Sequence, residues 1–136
     1  MRGLQRDYNG KVQTLNRLIS DYPESQYMDD ALYEQGRAFV QMEDNANAIA
    51  RFNILVKKFP ESNVARRAAN EIGLLYYQDD KYPEAIQAYK QVIASYPGSE
   101  EARLAQRDLK SIYIDLNKVD EYANFASTIP AVPTLM

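Results

Sequence analysis

The sequence predicts an all-α protein in which about seven antiparallel helices stack as hairpins into an α-α superhelix. The 136 residues include only 5 Gly and 6 Pro, which favours long helices over many short strands. Apolar residues make up 46%, which is enough for a core. A third observation is an internal repeat, because one short motif recurs at intervals of 37 residues. Periods of this length are typical of stacked helical repeats.

The recurring motif is an aromatic residue followed by Pro, any residue and Ser. It occupies Tyr22–Ser25, Phe59–Ser62 and Tyr96–Ser99. Pro cannot continue a helix and pushes the preceding residue out of the α region, while Ser is a good N-cap. The motif therefore ends one helix and begins the next. Weaker breaks at 43–45, 79–81 and 116–118 carry acidic and Asn residues that suit helix caps.

These breaks divide the chain into alternating longer A helices and shorter B helices. The first helix, at about residues 4–22, is a B helix without its A partner. Three A/B repeats follow at about 25–58, 62–95 and 99–128. Their helices are expected at about 25–43 and 46–58, 62–79 and 82–95, and 99–116 and 118–128. An extended tail at 129–136, which contains two prolines, completes a single array over 1–136.

A shift of 37 residues also aligns positions inside the helices. The coinciding positions hold a glycine, a small residue and an aromatic residue: Gly36 and Gly73, Ala48 and Ala85, Phe52 and Tyr89. Gly inside a helix costs about 1 kcal/mol relative to Ala, so a repeated one needs a packing reason. We expect helices A and B to approach closely there, with the alanines as the small partners and the aromatic rings filling the surrounding space.

The third repeat departs from this pattern. Lys110 replaces the glycine, and Tyr122 and Ala126 reverse the order of small and aromatic residues. Terminal repeats are often atypical, so we expect the array to close here. The lone B helix at the other end predicts that the chain is a piece excised from a longer protein.

The pattern resembles the tetratricopeptide repeat, in which a glycine in helix A, an aromatic residue, a small residue of helix B and a closing proline recur. The matching residues are Gly36, Phe39, Ala48, Phe52 and Pro60, then Gly73, Tyr76, Ala85, Tyr89 and Pro97. The usual period is about 34 residues. The longer spacing, with Tyr-Pro-x-Ser at the join, is similar to bacterial envelope members: outer-membrane assembly lipoproteins, Tol–Pal accessory proteins and long repeat proteins of Bacteroidetes. The resemblance covers residues 8 to about 129.

The resemblance implies a non-catalytic scaffold that binds a protein or peptide along its concave face. It also implies a periplasmic or outer-membrane-associated location and leaves a cytoplasmic one open. The alternative is a self-associating or spacer segment of a larger repeat protein, with no ligand groove of its own. Homo-oligomers would then form through the open ends of the array, where α-helical residues such as Leu15 and Leu18 lack a partner helix.

Carried over position by position, the resemblance implies that helix A residues line the concave groove. They are Asp30, Tyr33, Arg37 and Gln41, then Arg67, Asn70, Leu74, Tyr77 and Gln78, then Arg107, Ser111, Ile114 and Asp115. The three arginines would form a cationic stripe for an acidic peptide. The same residues also fit an ordinary solvated helix face, which the neighbouring Asp30 and Glu34 favour. The Lys, Asn and Arg that clamp chaperone carboxylates in some members have no counterparts here.

Of the 11 tyrosines, most of those on repeat positions are expected in the core and the helix joints: Tyr22, Tyr76, Tyr89, Tyr96 and Tyr113. Tyr33 and Tyr77 match no repeated core aromatic and are candidates for surface contacts.

Composition excludes several classes of function. The absence of Cys and His removes disulfides, imidazole bases and zinc sites built on those residues. We expect no enzyme activity, no cofactor and no metal site. A net charge of −3 argues against nucleic-acid binding. No apolar run approaches the ~20 residues of a membrane span, so no membrane insertion is expected.

Overall fold

The computed structural model describes residues 2–21 and 27–129, with side chains at 8–20 and 27–129. These residues form seven helices and no strand. The helices are α1 (Arg2–Asp21), α2 (Met28–Gln41), α3 (Asn45–Lys58), α4 (Asn63–Gln78), α5 (Tyr82–Ser95), α6 (Glu100–Asp115) and α7 (Val119–Ala126). All predicted helices are present, with boundaries that differ by three residues at most. The first Tyr-Pro-x-Ser motif and the predicted extended tail beyond Ile129 lie outside the described residues.

The serines of the recurring motif cap their helices as predicted. The Ser62 hydroxyl accepts a hydrogen bond from the Val64 backbone N–H at 3.3 Å, and the Ser99 hydroxyl accepts one from Ala102 at 3.0 Å. Each satisfies one of the backbone donors that a helix start leaves without a partner. Ser62 also donates to the Asp29 carboxylate at 2.6 Å, which ties the start of α4 to the start of α2.

At the weaker breaks, residues 43–45, 79–81 and 116–118, the acidic and Asn residues act differently from the predicted N-caps. Only Asp44 caps the following helix with its side chain, by accepting from the Asn47 N–H; the N-cap positions of α5 and α7 are lysines without such a bond. The acidic and Asn residues instead take the left-handed conformation that ends each A helix: Glu43, Asp80 and Asn117 have φ of 60°, 59° and 59°. Asp and Asn tolerate this conformation better than most residues.

The hairpins stack so that the A helices lie on the inner side. Each helix packs on the next along the chain, and in addition α2 contacts α4 and α4 contacts α6. Within residues 2–21 and 27–129, the backbones of α1, α3, α5 and α7 do not approach one another this closely. The A helices therefore form the tighter, concave side of an all-α superhelix, and the B helices form its outer side.

The core is divided into two apolar clusters, one for each full hairpin and the helix that covers it. Phe52 lies in the first cluster and Tyr89 in the second, and both side chains are fully buried. Tyr76 packs against both clusters and joins them. Among the other repeat-position tyrosines, Tyr113 is buried and Tyr96 is half-buried, while Tyr22 lies outside the described residues. One buried polar residue, Gln35, stands at a core position.

The glycines are required by the aromatic rings, whose atoms lie nearest to the position that an added Cβ would take. A Cβ placed on Gly73 would lie 2.6 Å from Cε1 of Tyr89, and one on Gly36 would lie still closer to the Phe52 ring. A Cβ atom essentially never lies this close to a non-bonded atom. Each ring therefore lies flat against the backbone of the A helix where only hydrogen projects, and this contact sets the separation of the two helices.

The third repeat replaces both members of this pair. Lys110 is exposed at the glycine position, and Ala126 takes the place of the ring. The aromatic side chain lies one turn earlier, at Tyr122, and its ring centroid is 6.1 Å from that of Tyr113. Since α7 ends at Ala126, it has 8 residues against the 14 of α3 and α5.

Replacement of Gly73 by Ala tests the ring contact. The added methyl group forces the buried Tyr89 ring to move, so we expect Gly73→Ala to lower the free energy of unfolding by about 1–3 kcal/mol. Gly10→Ala is the matched control, because it also lies inside a helix but no atom lies within 4 Å of its Cβ. It should raise stability by up to about 1 kcal/mol. Urea denaturation followed by circular dichroism measures both; equal effects of the two variants would contradict the contact.

Candidate functional site: the concave face

The middle A helix carries the predicted groove residues on one side. Arg67, Asn70, Leu74 and Tyr77 follow each other at spacings of three and four residues, so their side chains share one face of α4. Arg67 is exposed, and the other three side chains are half-buried. Gln78, at the end of the helix, is exposed as well. Because α4 contacts both α2 and α6, this face occupies the centre of the concave side.

Tyr77 contacts the third repeat. Its hydroxyl donates a hydrogen bond to the Asp115 carboxylate of α6 at 3.3 Å. Its ring meets the edge of Tyr82 with centroids 5.8 Å apart. Desolvation and the nearby Asp115 carboxylate raise the pKa of Tyr77 above its usual value. Tyr77 therefore holds two repeats together in addition to presenting part of its ring on the concave side.

The first repeat contributes residues of two kinds. Tyr33 is half-buried and packs on the core, with its ring centroid 5.8 Å from that of Phe52. Asp30, Arg37 and Gln41 are exposed. Arg37 faces Glu71 of α4: burial raises the pKa of the Glu71 carboxyl, and the Arg37 charge partly offsets this effect.

In the third repeat the predicted groove residues are bonded within their own helix. The Arg107 guanidinium forms an ion pair with Asp108 at 3.3 Å. The Ser111 hydroxyl donates to the Arg107 carbonyl at 3.3 Å. Ile114 and Asp115 are exposed near the end of α6.

The three arginines do not stand in one row. In the 37-residue register Arg67 corresponds to Asp30 and Leu104, whereas Arg107 corresponds to Asn70 and Tyr33. With a rise of about 1.5 Å per residue, the heights of Arg37 and Arg67 on their helices differ by roughly 10 Å. The structure thus places the cations on neighbouring helices of the concave side, in a staggered arrangement.

Arg67 and Asn70 both carry polar groups without a partner in the described part of the chain. Arg67 makes no hydrogen bond or ion pair with any residue in 27–129 or in the described side chains of α1. The Asn70 Oδ1 atom is buried and accepts no hydrogen bond from the described part of the chain. Buried acceptors without a partner are uncommon in folded proteins, and they are often explained by a missing ligand or water.

A repeated acidic position escaped the sequence analysis. Glu34, Glu71 and Asp108 lie 37 residues apart, each half-buried on an A helix. Glu34 pairs with Lys11 of α1 at 2.7 Å, and Asp108 accepts a hydrogen bond from the Tyr89 hydroxyl at 3.1 Å. The spacing itself was the signal that could have revealed these residues. Glu34 and Asp108 each join an A helix to the preceding B helix, whereas Glu71 faces Arg37 of α2.

Gln35 is a second residue that the sequence analysis missed. It is fully buried where the later repeats have Ile72 and Leu109. Its Nε2 donates to the Val12 carbonyl at 3.3 Å and to the Asn16 side-chain oxygen at 2.5 Å, which fixes α2 to α1. No pattern in the sequence distinguishes this amide from a surface glutamine.

Two further searches of the described residues gave negative results. No group of three or more acidic side chains within 2–21 and 27–129 is arranged to hold a metal ion. Of the seven described helices, none is both long and apolar enough to cross a membrane.

The stacked hairpins and the ring-on-glycine contact define a helical repeat protein with a concave face made of A helices. Two family models described as tetratricopeptide repeat match the sequence, one over residues 33–100 and one over residues 1–25. The first alone spans half of the 136 residues. The chain therefore belongs to the tetratricopeptide repeat family, whose members are generally non-catalytic scaffolds for protein–protein interaction.

Solved structures of similar fold support the same architecture. One is a crystal structure of nearly identical TPR-like repeats of a putative kinesin light chain from Podosopora anserina, with a TM-score of 0.59 and 19% identity over 95% of this chain and 75% of that one. A point variant of it gives a TM-score of 0.60 and 18% identity, covering 93% of this chain and 70% of that one. At such identities the likeness concerns the fold alone. No curated protein sequence matches the chain.

The hydrogen bond from Tyr89 to Asp108 gives a test at alkaline pH. Burial and the Asp108 carboxylate raise the pKa of Tyr89 strongly, so the folded state keeps this proton after the unfolded state, with a pKa near 10, has lost its own. Stability should therefore fall as pH rises above about 10. Tyr89→Phe removes this titration and matches the residue at the equivalent position, Phe52.

We expect Tyr89→Phe to be less stable than the wild type at pH 8 by about 1–3 kcal/mol, because a hydrogen bond to a charged group is lost. The difference should shrink between pH 10 and pH 11. Urea unfolding at these pH values measures it, with Tyr8→Phe on the outer helix α1 as a control. An unchanged difference at alkaline pH would contradict the assigned bond.

Proposed function

We propose that this protein is a non-catalytic scaffold that binds a partner protein along the concave face in the bacterial cell envelope. The observation that carries the proposal is the pair of unsatisfied groups on α4: Arg67 has no anion beside it, and the Asn70 Oδ1 has no donor. Their neighbours Arg107 and Tyr77 are bonded to carboxylates of the chain itself. The proposal therefore centres binding on the middle repeat, next to the exposed Arg37 of the first repeat.

The two groups suit an extended acidic segment of a partner. An arginine guanidinium binds a carboxylate through two parallel hydrogen bonds, which gives direction as well as affinity. The Asn70 amide lies one turn further along the helix, and rotation of this amide would bring its buried oxygen to a backbone N–H of the same segment. Leu74 and the exposed part of the Tyr77 ring offer apolar contact beyond it. Such a mixture of a cation, an acceptor and an aromatic ring is common at protein interfaces.

The envelope location rests on the 37-residue spacing and the Tyr-Pro-x-Ser join, which resemble those of envelope members of the family. The location is tested by the cell fraction in which the bound partner occurs. A partner recovered from the envelope fraction of the source cells supports the location, and a partner recovered only from the cytosol contradicts it.

Charge reversal at two adjacent arginines tests the face. Arg67 belongs to the concave side, whereas Arg66 lines a groove on the outer side, so Arg66→Glu makes the same change of charge on the opposite face. We expect Arg67→Glu to weaken binding of the partner captured from source-cell extracts. Its dissociation constant should rise by at least about tenfold, or 1.4 kcal/mol. Arg66→Glu should leave the dissociation constant within about twofold. Titration by biolayer interferometry measures both.

Two results would contradict the concave site: equal losses in the two variants, or a loss only in Arg66→Glu. Asn70→Ser provides a second measurement, because it shortens the side chain that carries the acceptor and leaves both arginines in place. For an acidic partner the affinity of the wild type should also fall with added salt, and that dependence should be smaller in Arg67→Glu.

A second candidate function is self-association through the ends of the array. Ile114 and Val119 at the α6–α7 end are 52% and 49% exposed, and Leu18 of α1 is 36% exposed. Val12 of the same helix is buried and Ile19 packs on the core, so only part of the apolar set of α1 is free. Sedimentation of the wild type and of Ile114→Glu at rising concentration distinguishes this function from the first.

A further inference from the structure

Three charged residues of alternating sign lie on the concave side where the first two full repeats meet. Arg67 and Glu71 are one turn apart on α4, and Arg37 stands on α2. Glu71 faces Arg37 from the neighbouring helix. Because α2 and α4 are in contact, the three side chains border the same part of the concave face. We call Arg67, Glu71 and Arg37 the charge triad.

The charge triad runs diagonally across the two helices. In the 37-residue register Arg37 corresponds to Leu74, so it stands seven positions beyond Arg67, and Glu71 lies between them. With about 1.5 Å per residue, Glu71 is roughly 6 Å and Arg37 roughly 10 Å further along the helix direction than Arg67. The axes of helices in contact are about 8–10 Å apart, which places the two arginines about 13–14 Å from each other.

The charges of the triad are not neutralised by close partners. None of the three side chains forms a hydrogen bond or an ion pair with the described part of the chain. Arg67 and Arg37 are exposed, and Glu71 is half-buried. By contrast, Glu34, the counterpart of Glu71 one repeat earlier, is paired with Lys11 of α1 at 2.7 Å. A ligand on this part of the face therefore meets a positive, a negative and a positive charge in turn.

An extended segment fits this series of charges in length and in side-chain direction. A strand advances about 3.3 Å per residue, so four residues span about 13 Å, which is close to the separation of the two arginines. Side chains at alternate positions of a strand point to the same side. The side chains at i, i+2 and i+4 of a bound segment can thus reach Arg67, Glu71 and Arg37.

Each position of such a segment has its own charge preference. A carboxylate at i or i+4 binds an arginine guanidinium through two parallel hydrogen bonds. A carboxylate at i+2 would be repelled by the half-buried Glu71, whereas a basic side chain there would be attracted. The two arginines alone would accept any acidic segment, and Glu71 restricts this choice.

We propose that the partner segment carries an acidic, a basic and an acidic residue at alternate positions, as in Asp-x-Lys-x-Asp; this inference rests on the concave binding site proposed above. Arg67 and Arg37 bind the two acidic side chains, and Glu71 binds the basic one. Since the pattern is the same in both chain directions, the charge triad fixes the register of the segment but not its direction. Glu71 determines specificity, because it distinguishes this segment from one whose charges are all negative.

Two synthetic peptides test the order of the charges. Each has ten residues, blocked ends and a fluorophore, with Asp-Ser-Lys-Ser-Asp or Asp-Ser-Asp-Ser-Lys at the centre of an Ala/Ser sequence. The peptides have the same composition and the same net charge. We expect the first to bind the full chain at least about fivefold more tightly, because the second turns two exposed charge contacts from attractive to repulsive. Fluorescence anisotropy at low salt and pH 8, which keeps the Glu71 carboxyl ionised, measures both dissociation constants.

Glu71→Gln tests the residue that reads the middle position. It removes the charge but keeps the shape of the side chain, so the two peptides should bind within about twofold of each other. Glu34→Gln is the matched control. It makes the same change at the equivalent carboxylate of α2, which is already paired with Lys11, and the preference for the first peptide should stay at its wild-type value. Circular dichroism checks that both variants are folded.

The charge pattern and the concave site fail in different ways. Equal binding of the two peptides to the wild type, or an unchanged preference in Glu71→Gln, would overturn the pattern. A loss of both peptides in Arg67→Glu would still support the concave site in that case. If Arg67→Glu binds both peptides as tightly as the wild type, the concave site is contradicted too. No saturable binding of the first peptide below about 1 mM would also overturn the pattern.

Discussion

The contact between an aromatic ring and a glycine backbone governs the rest of this structure. Phe52 and Tyr89 each lie against a glycine of the preceding helix, at a distance that no side chain larger than hydrogen permits. Helices A and B therefore approach more closely at this point than ordinary side-chain packing allows. The same contact occurs in two successive hairpins, α2–α3 and α4–α5, so these two share the close approach of their helices. Identical units that stack in the same way necessarily produce a superhelix with an inner and an outer side.

The third repeat shows what happens when this contact is absent. Lys110 stands at the glycine position, where its side chain would clash with a buried ring. Ala126 stands at the ring position, so the two substitutions are compatible only as a pair. Tyr122 restores aromatic bulk one turn earlier and packs near Tyr113. The last B helix is correspondingly short. The end of the array is thus a different solution to the same packing problem.

Most of the fold was predictable because its determinants are local and repeated. Pro60 and Ser62 act on the few residues around them, and a shift of 37 residues shows the same signals again. Contacts across helices were harder to predict. The sequence suggested that Ala48 and Ala85 were the partners of the glycines, since small residues are the usual sign of close packing. The contact depends on the orientation of the aromatic rings, which cannot be read from the sequence. Likewise, the fully buried Gln35 cannot be distinguished in the sequence from a solvated amide.

The concave site was predictable only in outline. Helical periodicity and the resemblance place Arg67, Asn70 and Tyr77 on one face, but which of them is already bonded depends on side chains from other repeats, such as Asp115. The distribution of contacts between helices has a mechanical consequence. The backbones of successive A helices approach one another more closely than those of successive B helices. We therefore expect bending of the array to change the spacing of the B helices more than that of the A helices, which makes the inner edge the stiffer one.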